Sequence, residues 1–239
     1  MTNDLTGDVA VVVGASAGGL GERAAEALAA QGATVVRADL EGDGTDVLGV
    51  DVTAEASVRG LVAAVLDLHG RIDVLVNAAG VMLRKAYDET TVAEFEQVVR
   101  VNLTGSWLLA REVAPAMGAG GRIVNLSTVY AERVGPIPEV AYYSSKAGVA
   151  NLTRALAAEL GPRGITVNCL APGVFYPTKM TAALGADPER LTWFSERTML
   201  GRLGDPDTDF AGPLLLLASS ASSYVTGQVL YVDGGWSAW

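Results

Sequence analysis

The sequence predicts an α/β protein, a Rossmann-type doubly wound parallel sheet of about seven strands with helices on both faces. Three observations carry this. Short apolar runs rich in Val and Ile alternate with helix-patterned stretches from end to end, and such alternation closes right-handed crossovers onto a parallel sheet. The runs are continuously apolar, as burial on both faces requires. The 28 glycines fall mostly at the ends of these runs, where strand-to-helix turns belong.

In order, strands are expected at Val9–Val13, Ala33–Ala38, Leu48–Val52, Ile72–Val76, Arg122–Leu126, Ile165–Leu170 and Gln228–Val232. Helical patterns cover Glu22–Ala30, Ser57–Leu68, a long Val92–Met117, Val140–Leu160 and Asp207–Ala218. Between them, residues 175–205 hold two prolines and scattered large apolar side chains. An irregular segment that long inside a compact domain is expected to be a substrate-binding loop or lid. There is no repeat and no linker, and 239 residues, half of them hydrophobic, suit one domain spanning 1–239.

Composition removes several functions. A net charge of −10 argues against nucleic acid and anionic membranes as partners. Cys169 is the only cysteine, so no intramolecular disulfide or cysteine-ligated metal is expected, and nothing else suggests a metal. His69, the only histidine, precedes Gly70 at the end of a helical pattern, which leaves no Ser-His-Asp hydrolase. Met1 to Thr6 is polar and the Leu214–Leu217 run is too short to span a bilayer, so a cytoplasmic location is expected.

The first strand runs into Gly14-Ala15-Ser16-Ala17-Gly18-Gly19-Leu20-Gly21 and then a helix. Glycines let the backbone approach a pyrophosphate, whose charge is favoured at a helix N-terminus. A tight turn without ligand is the plain alternative, but the strand before, the helix after and an acid about 20 positions on fit a dinucleotide site. That acid is Asp39, at the end of the second strand. Its carboxylate would accept both ribose hydroxyls of NAD and repel the 2′-phosphate of NADP. Arg37 is the one feature that argues for NADP. Asp51, at the end of the third strand, reads either as an adenine contact or as a cap near Thr53. Leu40 and Val52, which follow these acids, join the expected cofactor contacts.

Tyr142 and Lys146 lie four apart in a predicted helix and so share a face. A tyrosine titrates near ~10 and must fall by ~3 units, or ~4 kcal/mol, to act as a base near neutrality. A nearby lysine ammonium, a cationic nicotinamide and the helix N-terminus can supply that in a partly dry site. Tyr143, three from Lys146, is the rival.

Taken together these residues resemble the short-chain dehydrogenase/reductase family in its compact single-domain form, over almost the whole chain. The glycine loop is similar to TGxxxGxG, one residue longer, with Gly19 or Gly18 as the second glycine. Asn77-Ala78-Ala79-Gly80 resembles NNAG, which stabilises the sheet and lines the cofactor site. Asn102 matches an asparagine that holds a relay water. Ile123 to Thr128 matches the strand that ends in the catalytic serine, here Thr128, with Ser127 as the other hydroxyl. Tyr142 and Lys146 match the active-site pair. Pro172-Gly173-Val174 matches the segment whose Val174 backbone would bond the carboxamide, with Thr178 nearby and one extra residue in the stretch. Tyr224 to Gln228 and Asp233-Gly234-Gly235 resemble the C-terminal strand.

The resemblance implies hydride transfer between NAD(H) and an alcohol or ketone. Tyr142 moves the proton, Thr128 holds the substrate oxygen, Lys146 lowers the tyrosine's pKa and bonds the ribose, and Asn102 relays through water. An NADPH-dependent 3-oxoacyl-thioester reductase is the alternative, although no basic residue in the loop supports it. A nucleotide sensor on the same fold would need neither Tyr142 nor Lys146. A homotetramer is implied, through Val92–Met117 and Val140–Leu160, with Leu214–Leu217 and the terminal Gly-Trp-Ser-Ala-Trp at a second interface. Met180, Leu184, Leu191, Trp193, Phe194, Met199 and Leu200 would either face an apolar substrate or pack the lid down. Glu132 and Arg133 would touch a polar substrate or lie exposed.

Overall fold

A computed structural model of the chain describes residues 3–238. Met1 and Thr2 of the polar start and Trp239 of the terminal segment lie outside the described residues.

Seven parallel strands form one sheet: β1 (Val9–Val13), β2 (Thr34–Asp39), β3 (Val47–Gly49), β4 (Val74–Asn77), β5 (Arg122–Leu126), β6 (Thr166–Pro172) and β7 (Val229–Val232). Their spatial order is β3-β2-β1-β4-β5-β6-β7. Chain order runs outward in both directions from β1 and β4. That boundary is the topological switch point, where a crevice opens beyond the carboxyl ends of the strands.

The continuous apolar pattern explains the layering. In β1, Val9, Val11 and Val13 enter one core with Val58, Leu61, Leu109 and Val113. Ala10 and Val12 enter a second with Leu28, Phe210, Leu214 and Leu217. Successive side chains point to opposite faces, so both must be apolar. The helices that cover them are α1 (Leu20–Ala30), α2 (Glu55–His69), α3 (Val92–Val99), α4 (Gly105–Val113), α5 (Val140–Leu160), α6 (Pro188–Glu196) and α7 (Ala211–Ala218).

Several boundaries shift by one or two residues from the sequence expectation, and four segments differ by more. The third strand is Val47–Gly49 rather than Leu48–Val52, because Asp51 is drawn into a turn by bonds from Thr53. The expected Val92–Met117 helix is divided into α3, a π turn at Arg100–Thr104, α4 and a 3₁₀ turn. The last helix starts at Ala211, because Asp205 and Asp209 fold the preceding residues into side-chain-capped turns. Residues 175–205 are not wholly irregular, since they contain α6 and a 3₁₀ turn at Ala182–Ala186. His69 ends α2 before Gly70, which takes a left-handed conformation at φ 74°.

The glycine loop is held so tightly that one methyl group has no place. A Cβ on Gly21 would fall 2.0 Å from the Gly14 carbonyl oxygen. Gly21→Ala should therefore destabilise the fold by about 1–3 kcal/mol, the usual range for forcing a group into packed space. Urea unfolding would show it, and a midpoint equal to wild type would contradict the close approach of α1 to β1.

Candidate active site

A cleft of about 790 Å³ opens over the carboxyl ends of β1, β2, β4, β5 and β6. One end of its floor is the glycine loop. Gly14 has φ 83°, and a Cβ there would fall 2.5 Å from the Ala78–Ala79 peptide. Gly18, at φ 79°, turns the chain, and Gly19 in extended conformation heads α1. Gly18 thus accommodates the extra residue and Gly19 stands where the helix begins. Ordinary contacts surround a Cβ built on Gly19, and α1 offers its orphan N–H groups beside it. The loop fits a bound pyrophosphate.

Asp39 lines the same end. One carboxylate oxygen accepts the Ser16 N–H at 2.9 Å and the other the Leu40 N–H at 2.7 Å. Arg37 is turned under the loop, where its guanidinium donates to the Ala15 carbonyl at 2.7 Å and lies 3.6 Å from Glu22. Arg37 is thereby committed to the loop. Asp51 also lines the cleft, with one oxygen accepting both the N–H and the hydroxyl of Thr53 at 2.8 Å. It braces the turn one residue ahead of Ala54, the N-cap of α2. Val52 lies beside it.

The other end gathers Asn77 to Gly80, Asn102, Thr128, Tyr142 and Lys146. Asn77 is buried and donates to Ser106 at 2.7 Å. Ala78, Ala79 and Gly80 form the wall. Gly80 is wedged between functional groups: a Cβ there would lie 3.4 Å from both Asn102 Oδ1 and Lys146 Nζ. Asn102 sits in the π turn, fully buried. Its amide accepts the Val81 N–H at 2.8 Å and donates to the Val81 carbonyl and Ser145 Oγ at 2.9 Å. The side chain is therefore spent on tying the NAAG segment to α5. The π turn, a common device at functional sites, aims it there.

Of the two candidate hydroxyls, Ser127 donates to the Lys146 carbonyl at 2.8 Å and so faces α5. Thr128 faces the Tyr142 phenol, whose pKa it pulls downward. Tyr143 is accounted for by structure, since its hydroxyl donates to the Ile137 carbonyl at 2.9 Å and its ring packs on Tyr130.

The electrostatics run against one sequence expectation. Burial raises the Tyr142 pKa, and the Glu139 carboxylate raises it further. Glu139 is the N-cap of α5, where the helix terminus was expected to favour phenolate. It is itself buried, its pKa raised by burial, and it is paired with Arg84 at 2.9 Å. Lys146 Nζ donates to the Leu126 carbonyl at 2.8 Å and lies 6.0 Å from the Tyr142 ring centre. Burial pushes its pKa down to about 8. In the protein alone, burial and Glu139 thus hold the phenol above its ordinary pKa.

Pro172, Gly173 and Thr178 line the cleft, and Thr178 shares a 2.8 Å hydroxyl contact with Thr181. Val174 instead packs beneath the lid, with its carbonyl accepting the Gly204 N–H at 3.0 Å. Most apolar lid residues also pack. Leu184, Phe194 and Leu191 join Val129 and Trp236, and Trp193 stacks edge-on against Phe194. Only Met180 of that set reaches the cleft, while Met199 and Leu200 are exposed. Arg133 donates to the Ser237 carbonyl and Glu132 sits 4.0 Å from Arg154, both away from the cleft. Sequence reasoning missed Arg84, Met82 and Lys179 in the lining. No helix among the described residues is long and apolar enough to cross a membrane.

The chain is similar to known proteins over nearly its whole length. A family model described as enoyl-(acyl carrier protein) reductase matches residues 14–237. A (2S)-((R)-hydroxy(phenyl)methyl)succinyl-CoA dehydrogenase subunit of Thauera aromatica is 42% identical over 244 residues, 95% of either chain. A 3-oxoacyl-(acyl-carrier-protein) reductase of Aquifex aeolicus is 36% identical over 97% of this chain and 98% of its own. The crystal structure of a gluconate 5-dehydrogenase from Burkholderia cenocepacia, in complex with NADP and tartrate, superposes with a TM-score of 0.90. It is 33% identical and covers 99% of this chain and 98% of its own.

Proposed function

The chain belongs to the short-chain dehydrogenase/reductase family, and from that premise we propose that it is an NAD(H)-dependent dehydrogenase of secondary alcohols, or a reductase of the matching ketones. Members are oxidoreductases that use NAD(P) and act on CH–OH groups. The observation that carries the finer reading is the convergence of Thr128, Tyr142 and Lys146 in one buried corner of the cleft, facing a glycine loop whose neighbouring acid is Asp39.

When bound, the oxidised dinucleotide supplies a hydride acceptor and a positive charge. The chain's residues do the rest. Gly14 to Gly21 hold the phosphates, Asp39 the adenosine ribose, and Gly173 and Thr178 the far end. Thr128 donates to the substrate oxygen, or accepts from it. Tyr142 takes the alcohol proton, and returns it in ketone reduction. Lys146, kept close by the Leu126 carbonyl, bonds the nicotinamide ribose and adds its charge. Asn102 holds the wall through Val81 and so positions the relay rather than carrying protons on its amide. At the substrate end, Met82 and Met180 are apolar and Arg84, paired with Glu139, adds a polar edge, which suits a mixed substrate bearing a polar group.

The second reading, an NADPH-dependent 3-oxoacyl-thioester reductase, is supported by the relative of that name and by the NADP in the gluconate dehydrogenase. Asp39 weighs against it. A 2′-phosphate would meet a carboxylate, with Arg37 already committed beneath the loop. NADH should bind at least about tenfold more tightly than NADPH, a difference of ~1.4 kcal/mol. Titration of tryptophan-to-NADH energy transfer measures both. The reverse preference would move the thioester reductase to first place.

The same reading takes residues 1–239 as one catalytic unit working as a homotetramer in the cytoplasm. Val92 on α3, Trp107 on α4 and Leu216 on α7 are exposed apolar side chains on the faces such an assembly would use.

A further inference from the structure

We propose that Lys179 neutralises the cofactor pyrophosphate, reaching over the glycine loop from the segment that follows β6. The inference rests on the cleft being a dinucleotide site and is independent of the substrate. It starts from a deficit. The loop contains no Lys or Arg. Both polar groups of the Gly18 peptide are already taken: its N–H donates to Glu22 Oε2 at 2.8 Å and its carbonyl accepts the Lys179 N–H at 2.7 Å. The Ser16 N–H is taken by Asp39. Two N–H donors of the loop are thus already spent, and the Glu22 carboxylate lies against it. The Arg37 guanidinium lies 3.6 Å from Glu22 and serves that carboxylate.

Among the cations that line the cleft, Arg84 pairs with Glu139 and Lys146 is held by the Leu126 carbonyl. Lys179 is exposed and lines the cleft, and no carboxylate pairs with its ammonium among the described residues. Its backbone is pinned to Gly18, and a Cβ built on Gly18 would lie 3.7 Å from the Lys179 Cβ. A four-carbon stem anchored there can carry the charge over the head of α1, and a compact ammonium suits a phosphate as a point charge. Lys179 also lies near the start of the 175–205 lid, so its pairing would fasten the lid's first turn when the cofactor arrives.

The test compares ligands that carry or lack a pyrophosphate. Lys179→Met should weaken NADH and ADP-ribose by about tenfold or more, the range for losing one charged hydrogen bond. It should flatten the salt dependence of both and leave adenosine binding unchanged, with Lys179→Arg recovering most of the loss. Fluorescence titration reads NADH; calorimetry and ligand-observed NMR read the others. Unchanged NADH and ADP-ribose affinities in Lys179→Met would overturn the assignment. So would an equal loss of adenosine, which would mean a damaged loop, or a loss confined to NADPH, which would move the lysine to the ribose phosphate. A wild-type protein that binds none of these ligands would instead bring down the dinucleotide reading itself.

Discussion

Tyr142→Phe should lower kcat by about 10²–10⁴-fold, the usual worth of one positioned acid–base group, and leave the NADH dissociation constant unchanged. The ring is buried and Phe keeps its packing, so only the hydroxyl facing Thr128 is lost. Tyr143→Phe is the matched control. It removes a hydrogen bond to the Ile137 carbonyl and should cost about 1 kcal/mol of stability with little change in kcat. Steady-state kinetics with a panel of secondary alcohols and NAD, alongside urea unfolding, separates the two. If Tyr143→Phe were the inactive variant, the proton path would have to be redrawn through Ile137 and Tyr130.

The pH profile adds a sharper check on the same group. Burial and Glu139 hold the Tyr142 pKa above its ordinary value in the protein alone. The phenol should therefore titrate at much lower pH in the enzyme loaded with oxidised cofactor than in the free enzyme. The glycine loop and the Tyr142–Lys146 pair were legible because each is local, set by spacing along a strand end or a helix face. Glu139 was not. It pairs with Arg84, 55 residues away, and no periodicity links two such positions. The π turn escaped for a related reason, since a 3.6-residue pattern from Val92 onward does not register one inserted residue. Its cause is tertiary: Asn102 must reach Val81 and Ser145, while a Cβ on Gly105 would lie 2.8 Å from Val52. The lid's apolar residues were ambiguous because a core cluster and a substrate wall use the same side chains. Only the contacts with Trp236 and Val129 assign most of them to packing.

Lys146→Met should abolish most activity and yet stabilise the cofactor-free protein. Loss of a preorganised charge at the reacting centre costs about 10²–10³-fold in kcat. Stability follows from linkage. Lys146 has a folded-state pKa of about 8 against 10.5 in the unfolded chain. The folded state therefore holds the proton less readily. The penalty is fully present below pH 8, shrinks as the pH rises, and is gone above 10.5. A shift of that size corresponds to about 3 kcal/mol. Methionine removes the penalty but forfeits the hydrogen bond to the Leu126 carbonyl, worth about 1 kcal/mol. The net expectation is a gain of about 2 kcal/mol at pH 7 that has vanished by pH 10.5. Cys169, its thiol pushed up to about 11 by burial, and the buried tyrosines titrate in the same alkaline range. The tyrosines are present in both proteins and drop out of the wild-type-minus-variant difference, which reads the lysine together with its coupling to the Cys169 thiol, a group the ammonium pulls downward. Urea unfolding at the two pH values reads it directly. A variant less stable than wild type at pH 7 would mean that Lys146 stabilises the empty site. The observed burial argues the opposite: the ammonium is held there against its own solvation, for a cofactor and a phenol that need the charge.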